Sequence, residues 1–288
     1  MIIALIGADG QLGTDLRTLI PTESLRPLYY PEFDVTKADD AAAKLRGLRP
    51  DVVINTAAFH RVDECEDRIE DAFRVNAFAV RDLARACRAM GAVLVHFSTD
   101  FVFDGRGSRP YREDDRPGPL SAYAASKLAG EHLLAAEWER HFIVRTCGLF
   151  GRAGCLEKGR NFVETMLWLA ESKRPIRVVD DQIVAPTSTL ELARNVLALI
   201  GTEAFGLYHL TSRGGCSWFE FARGIFELAE TEANLIPVGS AEYGAKARRP
   251  AYSLLDDGKA RRLGLLGCSD WKTALAGYLE ENRREPAL

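Results

Sequence analysis

Met1-Ile2-Ile3-Ala4-Leu5-Ile6-Gly7-Ala8-Asp9-Gly10-Gln11-Leu12-Gly13 is the stretch on which the reading of the fold turns. An apolar run at residues 2–6 meets a glycine-rich turn, after which Leu12, Leu16, Leu19 and Ile20 recur at helical spacing. Strand, glycine loop and helix in that order are the context a phosphate-binding loop requires. Gly7 permits the tight turn and Gly10 lets the backbone approach a pyrophosphate that faces the helix N-terminus. Gly13 permits the helix to lie close on the strand. Three spaced glycines alone also describe a bare turn, and it is their placement directly after the first apolar strand that favours a dinucleotide site.

Outward from that loop, short apolar runs alternate with helical stretches. Strands are predicted at residues 28–30, 52–54, 93–97 and 142–145, and helices at 41–48, 72–90 and 122–140. Strands that are apolar throughout, separated by helices, argue for a parallel sheet covered on both faces. Right-handed crossovers make it a doubly wound α/β Rossmann sheet. The expected division is a dinucleotide-binding domain over residues 1–150 and a smaller C-terminal substrate-binding lobe made mainly of 151–288. Returns to the main sheet are expected near 176–200. Beyond the glycines and charges of 151–159, helices are expected at 162–171, 190–200, 218–230 and 271–282, and strands at 177–179 and 207–210. Trp218, Phe219 and Phe221 sit at helical spacing and read as core.

The chain has 288 residues, 47% hydrophobic and 27% charged, with 37 basic and 41 acidic side chains and a net charge of −4. That composition suits a globular protein and offers no general attraction to nucleic acid. No run approaches the ~20 apolar residues of a membrane span, and the N-terminus reads as a buried strand rather than a signal peptide. Six cysteines (65, 87, 147, 155, 216, 268) without a C-x-x-C pair read as buried residues of a reducing, cytoplasmic compartment. The five histidines are scattered, so no metal site is expected.

Tyr123-Ala124-Ala125-Ser126-Lys127 places a phenol and an ammonium four residues apart on one helix face. A lysine cation near a tyrosine favours the phenolate, which suits proton transfer at an alcohol or carbonyl oxygen while a hydride moves on carbon. The spacing also arises by accident on exposed helices. Here Ser98-Thr99-Asp100 ends a predicted strand, so a hydroxyl lies at the same sheet edge as the glycine loop and can bond the reacting oxygen. The adenosine end is less decided. Tyr29-Tyr30-Pro31-Glu32 offers neither the clean acid nor the arginine that separates NADH from NADPH, and Asp34-Val35 reads either as an adenine contact or as a solvated turn.

These motifs resemble the extended short-chain dehydrogenase/reductases, and within them the dTDP-4-dehydrorhamnose reductase group. The resemblance runs nearly end to end, through Asn55–Asp63, Ser98–Gly105, Tyr123–Glu131, Arg145-Thr146, Asn161–Leu167, Asp181-Gln182, Ala185-Pro186-Thr187, and Arg249-Pro250 before Ser253. It implies an NADPH- or NADH-dependent reduction of a 4-keto group on a dTDP-4-dehydro-6-deoxy sugar, yielding dTDP-L-rhamnose for cell-surface polysaccharide. It further implies cofactor contacts from Gly7, Gly10, Gln11, Leu12, Gly13, Asp34, Val35, Ala57, Ala58, Phe59 and His60. Tyr123 would be the proton donor, Lys127 would hold the nicotinamide ribose, and Thr99 and Asp100 would face the sugar. Arg249, beside Arg248, is the candidate for the diphosphate, with Asn161 and Gln182 as neutral donors. A sugar-nucleotide epimerase or dehydratase shares this fold, but Thr99 is followed by Asp100-Phe101, without the second carboxylate of a dehydratase. A regulatory subunit would commonly lack the Tyr/Lys pair.

Two departures from the group stand out. Cys147-Gly148-Leu149-Phe150 replaces a sugar-facing aromatic by Gly148. Some relatives bridge a dimer through magnesium held by glutamates. Asp15 sits near one such position, whereas Ser188-Thr189-Leu190 offers no carboxylate at the other, so no metal is expected. Small residues around Tyr123 (Ala122, Ala124, Ala125, Ala129, Gly130) would permit close helix packing and thus a homodimer.

Overall fold

The computed structural model describes residues 1–153 and 159–284. Six strands, β1 (Ile3–Ile6), β2 (Leu25–Leu28), β3 (Val52–Asn55), β4 (Val93–Thr99), β5 (His141–Thr146) and β6 (Gly206–His209), pair in the order β6-β5-β4-β3-β1-β2. Every pairing is parallel. The chain leaves β1 for β2 on one side and returns to β3 on the other, so the carboxyl ends of β1 and β3 part at a switch point where ligands of such sheets bind.

Period-two alternation assigns the sheet's side chains to two cores. Ile3, Leu5, Val52, Ile54, Val95 and Val144 pack with Leu12 and Leu16 of α1 (Gln11–Leu19). Ala4, Ile6, Val53, Leu94 and Ile143 pack on the opposite face with Leu45 of α2 (Ala38–Leu48), Val80 and Leu83 of α3 (Ile69–Phe73 and Ala79–Met90), and Leu134 of α4 (Ala122–Glu137). Helix α3 comprises Ile69–Phe73 and Ala79–Met90, joined by a π turn at Arg74–Phe78, and Gly91 closes it in the left-handed region. A third core lies away from the sheet, where Phe150, Val163, Met166, Phe221, Ile225, Trp271 and Leu275 meet between α5 (Phe162–Glu171), α7 (Trp218–Ala229) and α8 (Trp271–Arg284).

Several elements differ from expectation. The second strand is Leu25–Leu28 rather than residues 28–30; as an edge strand it tolerates Pro27, whose missing N–H has no ladder partner to lose. Of the stretch expected to return to the sheet, α6 (Thr189–Ile200) packs on the first core through Leu192, Val196 and Leu199. Ile176–Val179 instead pairs with Leu235–Val238 in a separate two-stranded sheet. The strand expected in the lobe at 207–210 becomes β6, extending the main sheet beside β5. Phe221 is fully buried and Trp218 and Phe219 are partly so. Cys155 and part of the 151–159 stretch lie outside the described residues; the other five cysteines are buried and unbridged. Among the described residues no helix is long and apolar enough to cross a membrane.

Candidate active site

The glycine loop closes the gap between β1 and α1. Gly7 adopts φ +71°, and a Cβ there would lie 2.6 Å from the Thr56 hydroxyl at the end of β3. A Cβ on Gly13 would fall 2.2 Å from the Gly7 carbonyl. Gly10 is the N-cap of α1, with no side-chain cap and no acidic residue in the first turn, which leaves the helix N-terminus open to an anion. The Gln11 amide nitrogen is buried without a hydrogen-bond partner. An unblocked helix end beside a backbone that no Cβ crowds is the environment a pyrophosphate fits.

The loop after β3 is held from behind. Asn55 accepts the Ala57 N–H at 3.1 Å. Asn76, in the π turn of α3, accepts from Phe59 N at 2.9 Å and donates to the Phe59 carbonyl and the Ser126 hydroxyl, both at 3.0 Å. The Phe59 ring carries the Arg68 guanidinium over its face, and His60 Nδ1 lies 3.4 Å from the Ala58 carbonyl. A Cβ on Gly130 would sit 2.1 Å from the Asn76 carbonyl, so the smallest residue of α4 serves close contact with α3. Asp34 Oδ1 accepts from both the amide and the hydroxyl of Thr36, and Val35 is buried in the second core. Burial opposes ionisation of Asp34, but the two bonds from Thr36 outweigh it and hold the carboxyl below its usual range.

At the carboxyl end of β4, Thr99 caps the turn Asp100–Val102, accepting from Phe101 N at 3.2 Å and donating to Asp100 Oδ1 at 3.1 Å. Ser121 caps α4 and places Tyr123 in its first turn, where the Thr99 hydroxyl favours the phenolate against burial and the ring meets Phe101 edge-on at 6.2 Å. The strand-end hydroxyl and the phenol thus converge. Ser98, the alternate hydroxyl, points to Glu131 instead. Burial pushes the Asp100 carboxyl up to about 6, and its Oδ2 has no hydrogen-bond partner.

The Tyr123 phenol is raised above its ordinary value by burial and then by Asp100. Lys127 Nζ turns to β4, 2.6 Å from the Phe97 carbonyl and 3.3 Å from His96 Nε2. Burial pulls the lysine down to about 8 while Glu131 acts against it. One turn further along α4, Glu131 receives a bidentate pair from Arg145 of β5 at 2.9 and 2.6 Å, with both side chains buried. Arg145 also lies 3.4 Å from His209 of β6 and over the Phe103 ring, so one ion pair ties β4, β5, β6 and α4 together behind the site.

The three residues assigned to the substrate's diphosphate are engaged within the chain. Asn161 caps α5 in a capping box with Glu164, and its amide nitrogen donates to the Gly151 carbonyl at 2.8 Å and to Tyr278 at 2.9 Å. Both amide hydrogens are in use, and the oxygen, which accepts the Glu164 N–H, keeps one lone pair. Gln182 donates to Ser240 at 2.8 Å. Arg249 forms a bidentate pair with Asp63, at 2.9 and 3.1 Å, which ties the 247–250 loop to the segment that follows β3.

The family model described as "RmlD substrate binding domain" matches residues 1–284. The chain belongs to the RmlD substrate-binding family. Among family relatives, the spore coat polysaccharide biosynthesis protein SpsK of Bacillus subtilis is 39% identical over 97% of both chains. The dTDP-4-dehydrorhamnose reductase of Escherichia coli is 35% identical over 98% of each. A dTDP-4-dehydrorhamnose reductase of Bacillus anthracis, solved in complex with NADP, superposes with a TM-score of 0.93 at 36% identity, covering 98% of this chain and all of its own.

Against that family, the two departures acquire a geometry. Gly148 adopts φ +50°, and a Cβ there would lie 3.3 Å from both Pro186 Cα and the outer edge of the Trp218 indole. The space beside Gly148 is thus bounded by Trp218 of α7. Asp15 is 1% exposed and hydrogen-bonded by Thr189, a neutral hydroxyl, so the bridging carboxylate pair does not fit. Among the described residues no group of three or more His, Cys, Asp or Glu could hold a metal ion. Asn55, Asn76, His96, Glu131 and Arg145 were given no site role from sequence. The available signal was a polar side chain inside otherwise apolar strands and helix faces.

Proposed function

We propose that this chain reduces the 4-keto group of a dTDP-4-dehydro-6-deoxy sugar with NADPH, in the sense dTDP-4-dehydrorhamnose to dTDP-L-rhamnose, as a step toward cell-surface polysaccharide. The observation that carries the reading is the convergence of Thr99 and Tyr123 at the carboxyl edge of β4, beside the switch point where the glycine loop opens. The names of the relatives and the NADP-bound structure support the same assignment.

When bound, the reduced nicotinamide supplies the hydride. The residues that would hold it are Gly7, Gly10, Gln11, Leu12 and Gly13 at the pyrophosphate, Asp34 and Val35 toward the adenosine, and Ala57, Ala58, Phe59 and His60 along the loop after β3. Lys127 would reach the ribose. Thr99 and Tyr123 bond the ketone oxygen, and Tyr123 delivers its phenolic proton there as negative charge develops. Asp100 orients the sugar through its unpartnered oxygen. Trp218 offers the apolar face that Gly148 lacks, and Arg249 meets the diphosphate after exchanging Asp63 for phosphate oxygens. In this reading residues 1–150 with α6 and β6 hold the dinucleotide and the rest of 151–288 holds the substrate, in the cytoplasm.

Absorbance of NADPH in the presence of the 4-keto sugar nucleotide tests the reading. Stoichiometric oxidation, lost in Tyr123→Phe, supports it. Turnover of the sugar without net loss of NADPH would replace it by an epimerase or dehydratase, and tight NADPH binding without chemistry by a regulatory subunit.

A further inference from the structure

His96 lies fully buried inside β4, directly across from Asn55 of β3 in the sheet register. Both ring nitrogens face groups that ordinarily donate. Asn55 Nδ2 is 3.3 Å from Nδ1, and Lys127 Nζ is 3.3 Å from Nε2. A neutral imidazole has one N–H and one lone pair, so it satisfies only one donor. The Asn55 amide cannot simply turn round, because its oxygen already accepts the Ala57 N–H at 3.1 Å. The tautomer that satisfies Asn55 has Nδ1 accepting and the hydrogen on Nε2. An Nε2–H pointed at Nζ is satisfied by an amine lone pair and opposed by an ammonium. The uncharged amine still has two hydrogens, one of which meets the Phe97 carbonyl at 2.6 Å.

We propose that His96 is a positioning residue for Lys127: in the unliganded crevice it donates its Nε2–H to an uncharged lysine amine, and the lysine becomes charged when a dinucleotide enters. The proton comes from solvent, converting R–NH2 to R–NH3+ with no other bond made or broken. The negative charge of the pyrophosphate favours that uptake. The charged lysine then has reason to leave His96, whose N–H now opposes it. The groups facing the lysine are His96 from β4 and Glu131 from α4, the latter neutralised by Arg145 from β5 and bonded by Ser98. Burial lowers Lys127 to about 8, so the uncharged amine prevails above that pH, and burial followed by the lysine's charge lowers His96.

The inference about proton uptake rests on reading the crevice as the dinucleotide site, and two measurements separate them. Long-range proton–nitrogen correlation spectra of the unliganded protein report the His96 tautomer. The signal is assigned by its loss in His96→Gln or its displacement in Lys127→Met. A neutral ring protonated at Nε2 is expected; protonation at Nδ1, or an imidazolium, overturns the proposal whether or not NADPH binds. Calorimetry of NADPH binding at about pH 9, in two buffers of different ionisation enthalpy, then counts protons. Uptake of about one proton is expected for the wild type and about tenfold less for Lys127→Met. His96→Gln should also lose the uptake, because its amide can turn an oxygen to the ammonium and leave the lysine charged beforehand. No uptake by the wild type, or equal uptake by Lys127→Met, overturns it. Absence of NADPH binding at all would instead defeat the dinucleotide reading, with the tautomer still deciding how the lysine is held.

Discussion

The two walls of the crevice are built on opposite plans. On the sheet side, recognition groups stand open: the Gly10 cap of α1 carries no side-chain bond, and the Gln11 amide nitrogen has no partner. On the lobe side, Asn161, Gln182 and Arg249 are each bound to another part of the chain. A wall made of backbone can receive an anion without rearranging, because its donors are fixed by the fold itself. A wall made of side chains serves either structure or ligand at a given moment. The substrate side must therefore exchange partners, as Arg249 can, or rely on surfaces such as Trp218 that need no hydrogen bond.

That contrast can be broken experimentally. If the sheet edge performs the chemistry, Tyr123→Phe lowers kcat by about 10²–10⁴-fold with NADPH affinity unchanged in a binding titration; loss of NADPH affinity instead would make Tyr123 part of the binding wall. Behind it, Arg145→Leu leaves the buried Glu131 carboxylate unpaired and should cost about 3–5 kcal/mol in denaturant unfolding. Asp100 sharpens the picture through pH. Burial raises its folded value to about 6, so its contribution to stability is fully present below the unfolded value and lost as pH rises through the folded one. Between about pH 4 and pH 7 the wild type should lose on the order of 3 kcal/mol that Asp100→Asn retains, measured by unfolding at each pH. Smallest is Asn161→Ala, expected to cost about 1–2 kcal/mol of stability with KM unchanged. A raised KM at undiminished stability would return Asn161 to the substrate wall.

What could be read in advance follows the distance over which a residue acts. The glycine loop and the Tyr123/Lys127 pair are local patterns, and Thr99 was placed by the strand it ends. His96 gains its meaning from cross-strand register with Asn55, which no run of neighbours displays. The Glu131–Arg145 pair joins a helix to a strand and was visible only as two separate polar residues. Asn161 is the opposite case. Asn161-x-x-Glu164 is a capping-box pattern in the sequence, and the structure forms that box. The second strand was displaced because Leu25-Arg26-Pro27-Leu28 is too polar to advertise itself, as edge strands often are.

The π turn at Arg74–Phe78 has a wider consequence. One surplus residue in α3 sets the angular phase between its two α-helical segments. Removing it would rotate Ile69–Phe73 by about 100° relative to Ala79–Met90, or pull Asn76 away from Phe59 and Ser126. A single-codon deletion there would thus detune the cofactor loop and the tyrosine helix together, while leaving every residue that touches a ligand intact.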